Sequence, residues 1–238
     1  METNKNAIWR TMETERKRLT IVAATGGVGR RLLEQAVAAG HDVAAVVRDP
    51  GKLDEPRIRV ARVDLADPDA AALEAALAGA DAVLSALGPR SRQESGVAWR
   101  GTQALVDAMR ATGCRRIVAV SAAPVGTVAS PGRPHPPRRD PGDGWFLSTA
   151  FYPLLKAALR WVYDDLARME DVLRGSGLDW TAVRPVRLTN GPLTGAYRTA
   201  YDRNLRRGTS VSRADVAHCM LRTLGDPASV GRTVGVAR

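Results

Sequence analysis

Cysteine, histidine, lysine and aromatic residues are all scarce in this sequence, and each scarcity closes off a class of function. Cys114 and Cys219 are the only cysteines, far apart and in no metal-ligand spacing. Neither a disulfide framework nor a zinc site follows from them, and a cytoplasmic protein with two free thiols is the expectation. His41, His135 and His218 are scattered without a second ligand at metal spacing, so no metal site is expected. Aromatic residues are 5% of the chain and accompany no helix-turn-helix or RNA-binding signature. A small-molecule partner is expected rather than nucleic acid. No run of about 18 apolar residues is present, so no transmembrane helix is expected. The polar stretch Met1 to Arg18 has no apolar centre of the secretory type and reads as a disordered leader.

What the chain does have is arginine. Of 35 basic residues only Lys5, Lys17, Lys52 and Lys156 are lysine, and the formal net charge is +10 over 238 residues. Such usage reflects base composition as readily as a task, so location says more than the total. Between Val186 and Arg213 stand six arginines (187, 198, 203, 206, 207 and 213) against the single acid Asp202. That segment can attract an anionic ligand on the substrate side, or merely be solvated.

The order of patterns is β-α-β-α. Apolar runs at 19–24, 42–47, 58–63, 81–87 and 116–121 read as strands buried in a parallel sheet. Helical periodicity fills 28–39, 68–78 and 97–112 between them, ended by Gly40, Gly79 and Gly113. These elements predict an α/β fold: a Rossmann-like, doubly wound parallel sheet in a single domain, monomeric or homodimeric. The rhythm breaks at 125–144, where five prolines and four glycines forbid regular structure. A lid or a disordered, mobile loop is expected there. A helix from Pro153 to Leu173 and a strand at 179–183 follow. Ser212, with Asp215 three residues on, reads as a capping box opening the last helix.

Thr25-Gly26-Gly27-Val28-Gly29 falls between the first strand and the first helix, where dinucleotide-binding folds keep their phosphate loop. Glycines there let backbone approach an oxygen-rich ligand, and the helix N-terminus favours pyrophosphate. A tight turn with no ligand is the alternative. The second strand runs into Arg48, then Asp49-Pro50-Gly51-Lys52. An acid at that position suits NAD, whereas Arg48 as a fork and Lys52 as a point charge suit the 2′-phosphate of NADP(H). A solvated basic turn, with Asp49 pairing Arg48, is the alternative.

The stretches Ala23 to Gly29, Val46-Val47-Arg48-Asp49, Val63-Asp64-Leu65 and Ile117 to Ala122 resemble the atypical short-chain dehydrogenases of the NAD(P)-binding, NmrA-like group. Ser176 to Thr181 with Arg184-Pro185, and Pro192-Leu193-Thr194-Gly195-Ala196-Tyr197, are similar to its biliverdin-IX beta reductase / flavin reductase branch. The resemblance implies that Thr25, Gly26, Gly27, Val28 and Gly29 hold pyrophosphate and that Arg48 and Lys52 take the 2′-phosphate. It further implies Asp64 and Leu65 beside adenine, Leu87 and Gly88 at the ribose, and Ser121 and Pro185 near nicotinamide. Two positions depart from the pattern. Ala23 replaces the usual first glycine, and Ala122 replaces a common second hydroxyl.

Ordinary short-chain dehydrogenases use a Tyr-x-x-x-Lys pair with a serine on strand five, the tyrosine exchanging a proton. Tyr152 and Lys156 have that spacing, and Ser121 lies at the strand end, so these three are the candidate catalytic residues. Against this, the family frame puts Leu166 where the lysine should be, and Pro153 suggests that Tyr152 sits just outside its helix. A flat conjugated acceptor needs no such pair, because it can take hydride directly from a stacked nicotinamide. Trp145, Phe146, Phe151, Tyr152 and Trp161 could wall that acceptor, or simply fill core. The leading expectation is an NADPH-dependent reductase of a flavin, quinone or tetrapyrrole type compound. A carbonyl reductase using Ser121, Tyr152 and Lys156, and a non-catalytic NADP(H)-sensing regulator, are the alternatives.

Overall fold

The computed structural model describes residues 15–144 and 152–238. Strands β1 (Arg18–Val22), β2 (Asp42–Val47), β3 (Arg59–Arg62), β4 (Ala82–Ser85), β5 (Arg116–Val120) and β6 (Asp179–Pro185) alternate with helices as the apolar runs predict. The helices among them are α1 (Gly27–Ala38), α2 (Ala70–Leu77), α3 (Val97–Thr112), α4 (Tyr152–Ala158) and α5 (Arg160–Gly175). The remaining elements are β7 (Arg187–Thr189), β8 (Arg198–Tyr201), β9 (Ser210–Ser212), α6 (Arg213–Thr223) and β10 (Arg232–Ala237). The main sheet has the order β3-β2-β1-β4-β5-β6-β10-β8, parallel except for β8 at its edge. β7 and β9 pair separately.

Strand alternation explains the two cores. Leu19 and Ile21 of β1 face one side with Leu32 of α1 and Met220 of α6. Val22 faces the other, with Leu77 of α2, Leu105 of α3 and Met169 of α5. A sheet covered on both faces explains why β1 and β4 read as continuous apolar runs. The strand order reverses between β1 and β4, and such a switch point opens a crevice at the carboxyl ends of the strands.

Several expectations need correction. Lys17 and Arg18 are not leader: the Lys17 N–H donates to His41 Nδ1 at 3.2 Å, and Arg18 opens β1 with its N–H on Asp81 Oδ2 at 2.7 Å. Residues 1–14 of that stretch lie outside the described residues. The proline-rich stretch lacks long regular elements, as expected, and side-chain contacts tie it to the rest of the fold. Ser130 Oγ and the Gly132 N–H donate to Asp171 of α5 at 3.0 and 2.8 Å. Asp140 accepts from the N–H groups of Gly142 and Asn204 at 2.9 and 2.8 Å. Proline forbids helix and strand without forbidding side-chain anchors, and these acids supply them. The single helix expected over 153–173 is two, α4 and α5, separated at Leu159, and Tyr152 is the first residue of α4 rather than outside it. Nothing in the Ala158-Leu159-Arg160 sequence marks that break.

Candidate cofactor and acceptor site

The glycine turn carries β1 into α1, and no side chain caps that helix, whose first turn holds no acid. Its N–H groups and positive end are therefore available to an anion. Gly29 has a different task from its neighbours: it is buried, and a Cβ there would collide with the Ala23 carbonyl, so it packs α1 onto β1 and does not line the opening. Ala23 itself holds φ at 57°, the left-handed region where glycine is the comfortable residue. Over Gly27 lies Arg213, whose Nε would be 2.7 Å from a Cβ at that position. The Arg213 guanidinium is steadied by Asn190 Oδ1 at 2.6 Å.

From this turn a cavity of about 840 Å³ runs along the strand ends. Thr25, Gly26, Gly27, Val28, Arg48, Lys52, Asp64, Leu65, Leu87, Gly88, Ser121, Tyr152 and Pro185 all line it. Among the residues predicted for cofactor binding and catalysis, Gly29 and Lys156 do not. Arg48 pairs with Glu94 at 3.2 Å rather than with Asp49, which pairs with Lys52 at 3.2 Å and caps the turn through the Gly51 N–H. Leu65 and Leu87 press on Gly101 of α3, where a Cβ would crowd both. That glycine, Glu94, and the cavity-lining Arg90 escaped sequence reading because each acts through a tertiary neighbour.

The far wall is apolar. Leu155 of α4, Leu159, and Val162, Tyr163 and Leu166 of α5 line it. Burial pushes the Tyr163 phenol up to about 12. Tyr152 is also buried, and burial together with Asp143 raises its phenol above the ordinary value. Lys156 turns away to Thr127, its Nζ 3.0 Å from Oγ1. Burial lowers its ammonium despite the nearby Asp143. Trp161 lines a second groove with Trp99 instead of this wall, and Trp145, Phe146 and Phe151 lie outside the described residues. Ser121 donates its hydroxyl to Glu170 Oε1 at 2.7 Å. Glu170 is fully buried between Arg184 and Arg174.

An uncapped helix at the switch point of a 3-2-1-4-5-6 sheet, opening on a basic and then apolar cavity, defines a dinucleotide-binding Rossmann protein. The family model described as NAD(P)H-binding matches residues 23–227, and the chain belongs to that family. A chloroplastic Arabidopsis thaliana protein of uncharacterized function is 30% identical over 217 residues, covering 87% of this chain and 72% of its own. A Veillonella parvula short-chain dehydrogenase/reductase crystallised with NADP superposes with a TM-score of 0.72 at 20% identity, over 94% of this chain and 95% of that one. An anaerobilin reductase from Escherichia coli O157:H7 gives 0.70 at 24%, over 92% and 96%. The backbone cradle at Gly26 and Gly27 fits a dinucleotide phosphate, and no helix among the described residues is long and apolar enough to cross a membrane.

Proposed function

We propose that the protein is an NADPH-dependent reductase that delivers hydride to a small conjugated acceptor of flavin, quinone or tetrapyrrole type. The observation that carries this reading is the cavity itself, which joins the glycine turn to an apolar wall built from α4 and α5. A reduced nicotinamide held at Ser121 and Pro185 supplies the hydride, and the wall holds a flat acceptor against it. Arg48 and Lys52 at the end of β2 support NADPH over NADH through the 2′-phosphate. The NADP-bound Veillonella parvula protein and the Escherichia coli anaerobilin reductase support the same reading by their shared fold.

The carbonyl-reductase alternative needs a lysine that lowers the tyrosine pKa. Here Lys156 is engaged by Thr127, and the Tyr152 phenol is raised. Direct transfer to a conjugated acceptor suits this geometry better. NADPH oxidation followed at 340 nm against a panel of flavins, quinones and ketones tests it. Turnover with the first two classes is expected, and turnover with ketones alone would overturn the reading.

A further inference from the structure

Ser121 stands where β5 ends, lines the cavity, and bonds to a side chain the sequence did not mark. Its partner Glu170 accepts from Arg184 Nε at 2.8 Å and from Arg174 at 2.6 Å, and a second Arg184 nitrogen reaches the other carboxylate oxygen. Burial opposes the charge on Glu170, but the two guanidiniums and the Ser121 hydroxyl hold its carboxyl below the ordinary value. An ionised carboxylate only accepts hydrogen bonds, and a serine hydroxyl has a single proton to give. The direction of the Ser121–Glu170 bond is therefore fixed.

We propose that Glu170 is a positioning residue that locks Ser121 as a hydrogen-bond acceptor, so that its oxygen receives an N–H of the ligand in the cavity. The inference rests on the reading of that cavity as the site of NADPH and a conjugated acceptor. Within that reading two ligand groups carry such an N–H: the nicotinamide carboxamide, and a ring nitrogen of a heterocyclic acceptor such as a flavin. A quinone has none. A serine held in this way has no proton left for a substrate carbonyl, whereas Ser121 of a carbonyl reductase would have to donate one.

Two measurements on the full chain separate the sources of the N–H. The first is the affinity of the wild type, Ser121→Ala and Ser121→Thr for NADP and for its 3-acetylpyridine analogue, which has no carboxamide N–H. The second is the ratio of KM for riboflavin to KM for menadione. If the carboxamide is the donor, Ser121→Ala loses about fivefold in NADP affinity and with it the discrimination against the analogue. If the acceptor is the donor, cofactor affinity holds and the riboflavin-to-menadione ratio rises about fivefold. Ser121→Thr, which keeps the hydroxyl, should restore either loss. Glu170→Gln should reproduce the selective loss, because the freed hydroxyl can rotate. Should that variant not fold, the two serine variants decide. Both ratios unchanged in Ser121→Ala would overturn the proposal. Absence of turnover with every acceptor would overturn the functional reading and the acceptor branch with it, and the binding measurement would still decide whether Ser121 accepts from the carboxamide.

Discussion

The Arg48 guanidinium lies 3.2 Å from Glu94 Oε1, so the cation expected to read the cofactor phosphate is already shared with an acid on the cavity rim. The pair is half exposed on the arginine side, and pairs of that kind contribute about 0.2–1 kcal/mol. A 2′-phosphate, with more charge and more acceptor oxygens, should compete with it successfully. NADPH is expected to bind more tightly than NADH, and Arg48→Ala should remove much of a preference worth about 1.5–3 kcal/mol. Glu94→Gln keeps an acceptor for the Arg90 N–H but frees Arg48, and should tighten NADPH about two- to fivefold. Fluorescence titration with both cofactors checks this; equal affinities in the unmutated protein would sink it.

Ala23 offers a second test. Its φ of 57° costs a residue with a Cβ about 1 kcal/mol, and its carbonyl is clasped by the Gly26 N–H at 2.9 Å. Ala23→Gly should therefore stabilise the protein by about 1 kcal/mol, raising Tm by roughly 2–4 °C for a chain of this size. Gly29→Ala should act in the opposite direction, since its Cβ has no room beside that same carbonyl. Thermal melts of the two variants decide, and a lower Tm for Ala23→Gly would refute the strain.

The contrast between these residues shows what could be read in the sequence. The parallel sheet, the glycine turn and the Arg48 position were legible because each is a local pattern: an apolar run, a spacing, a residue at a strand end. The Ser212 N-cap was legible for the same reason, and its hydroxyl does accept the Asp215 N–H at 2.9 Å, whereas the Asp215 carboxylate accepts from the Thr194 and Gly195 N–H groups instead of closing the expected capping box. Glu170 was not legible, because its neighbours Ser121 and Arg184 are brought to it by two different strands. The anchoring of the proline-rich stretch was hidden likewise, since Asp171 and Asn204 reach it from distant elements. Strands β7 and β9 have three residues each and β8 lies at the sheet edge, where weak alternation gives little signal; β10, a six-residue strand between β6 and β8, went unmarked as well.

Glu170 also predicts a pH dependence. Its carboxyl is held below 4.5 in the folded protein, so the unfolded chain binds more protons in acid. The stability this supplies is complete above about pH 4.5 and is lost as pH falls through the lower folded value. Urea midpoints measured from pH 6 down to pH 3 should decline, and Glu170→Gln should flatten the decline while lowering the midpoint at pH 6. The same slope in both proteins would show that other carboxylates carry the effect.

The two enzyme mechanisms separate at Tyr152 and Lys156. Their spacing matches a catalytic pair, but only the tyrosine lines the cavity, and the lysine ammonium is bonded to Thr127. A phenol raised by burial is a poor proton donor and an even poorer phenolate at neutral pH. If hydride passes directly to a conjugated acceptor, Tyr152→Phe and Lys156→Ala should each leave reduction of flavins or quinones within about tenfold. What loss there is should fall on KM for Tyr152→Phe, which keeps the ring that lines the site, and on stability for Lys156→Ala, which frees Thr127. A true acid–base pair would instead cost about 10²–10⁴-fold in kcat on a ketone. Steady-state kinetics on both acceptor classes, with NADPH affinity measured in parallel, tell the two apart. A thousandfold fall in kcat for Tyr152→Phe with cofactor affinity intact would restore the tyrosine as the proton donor and return the protein to carbonyl chemistry.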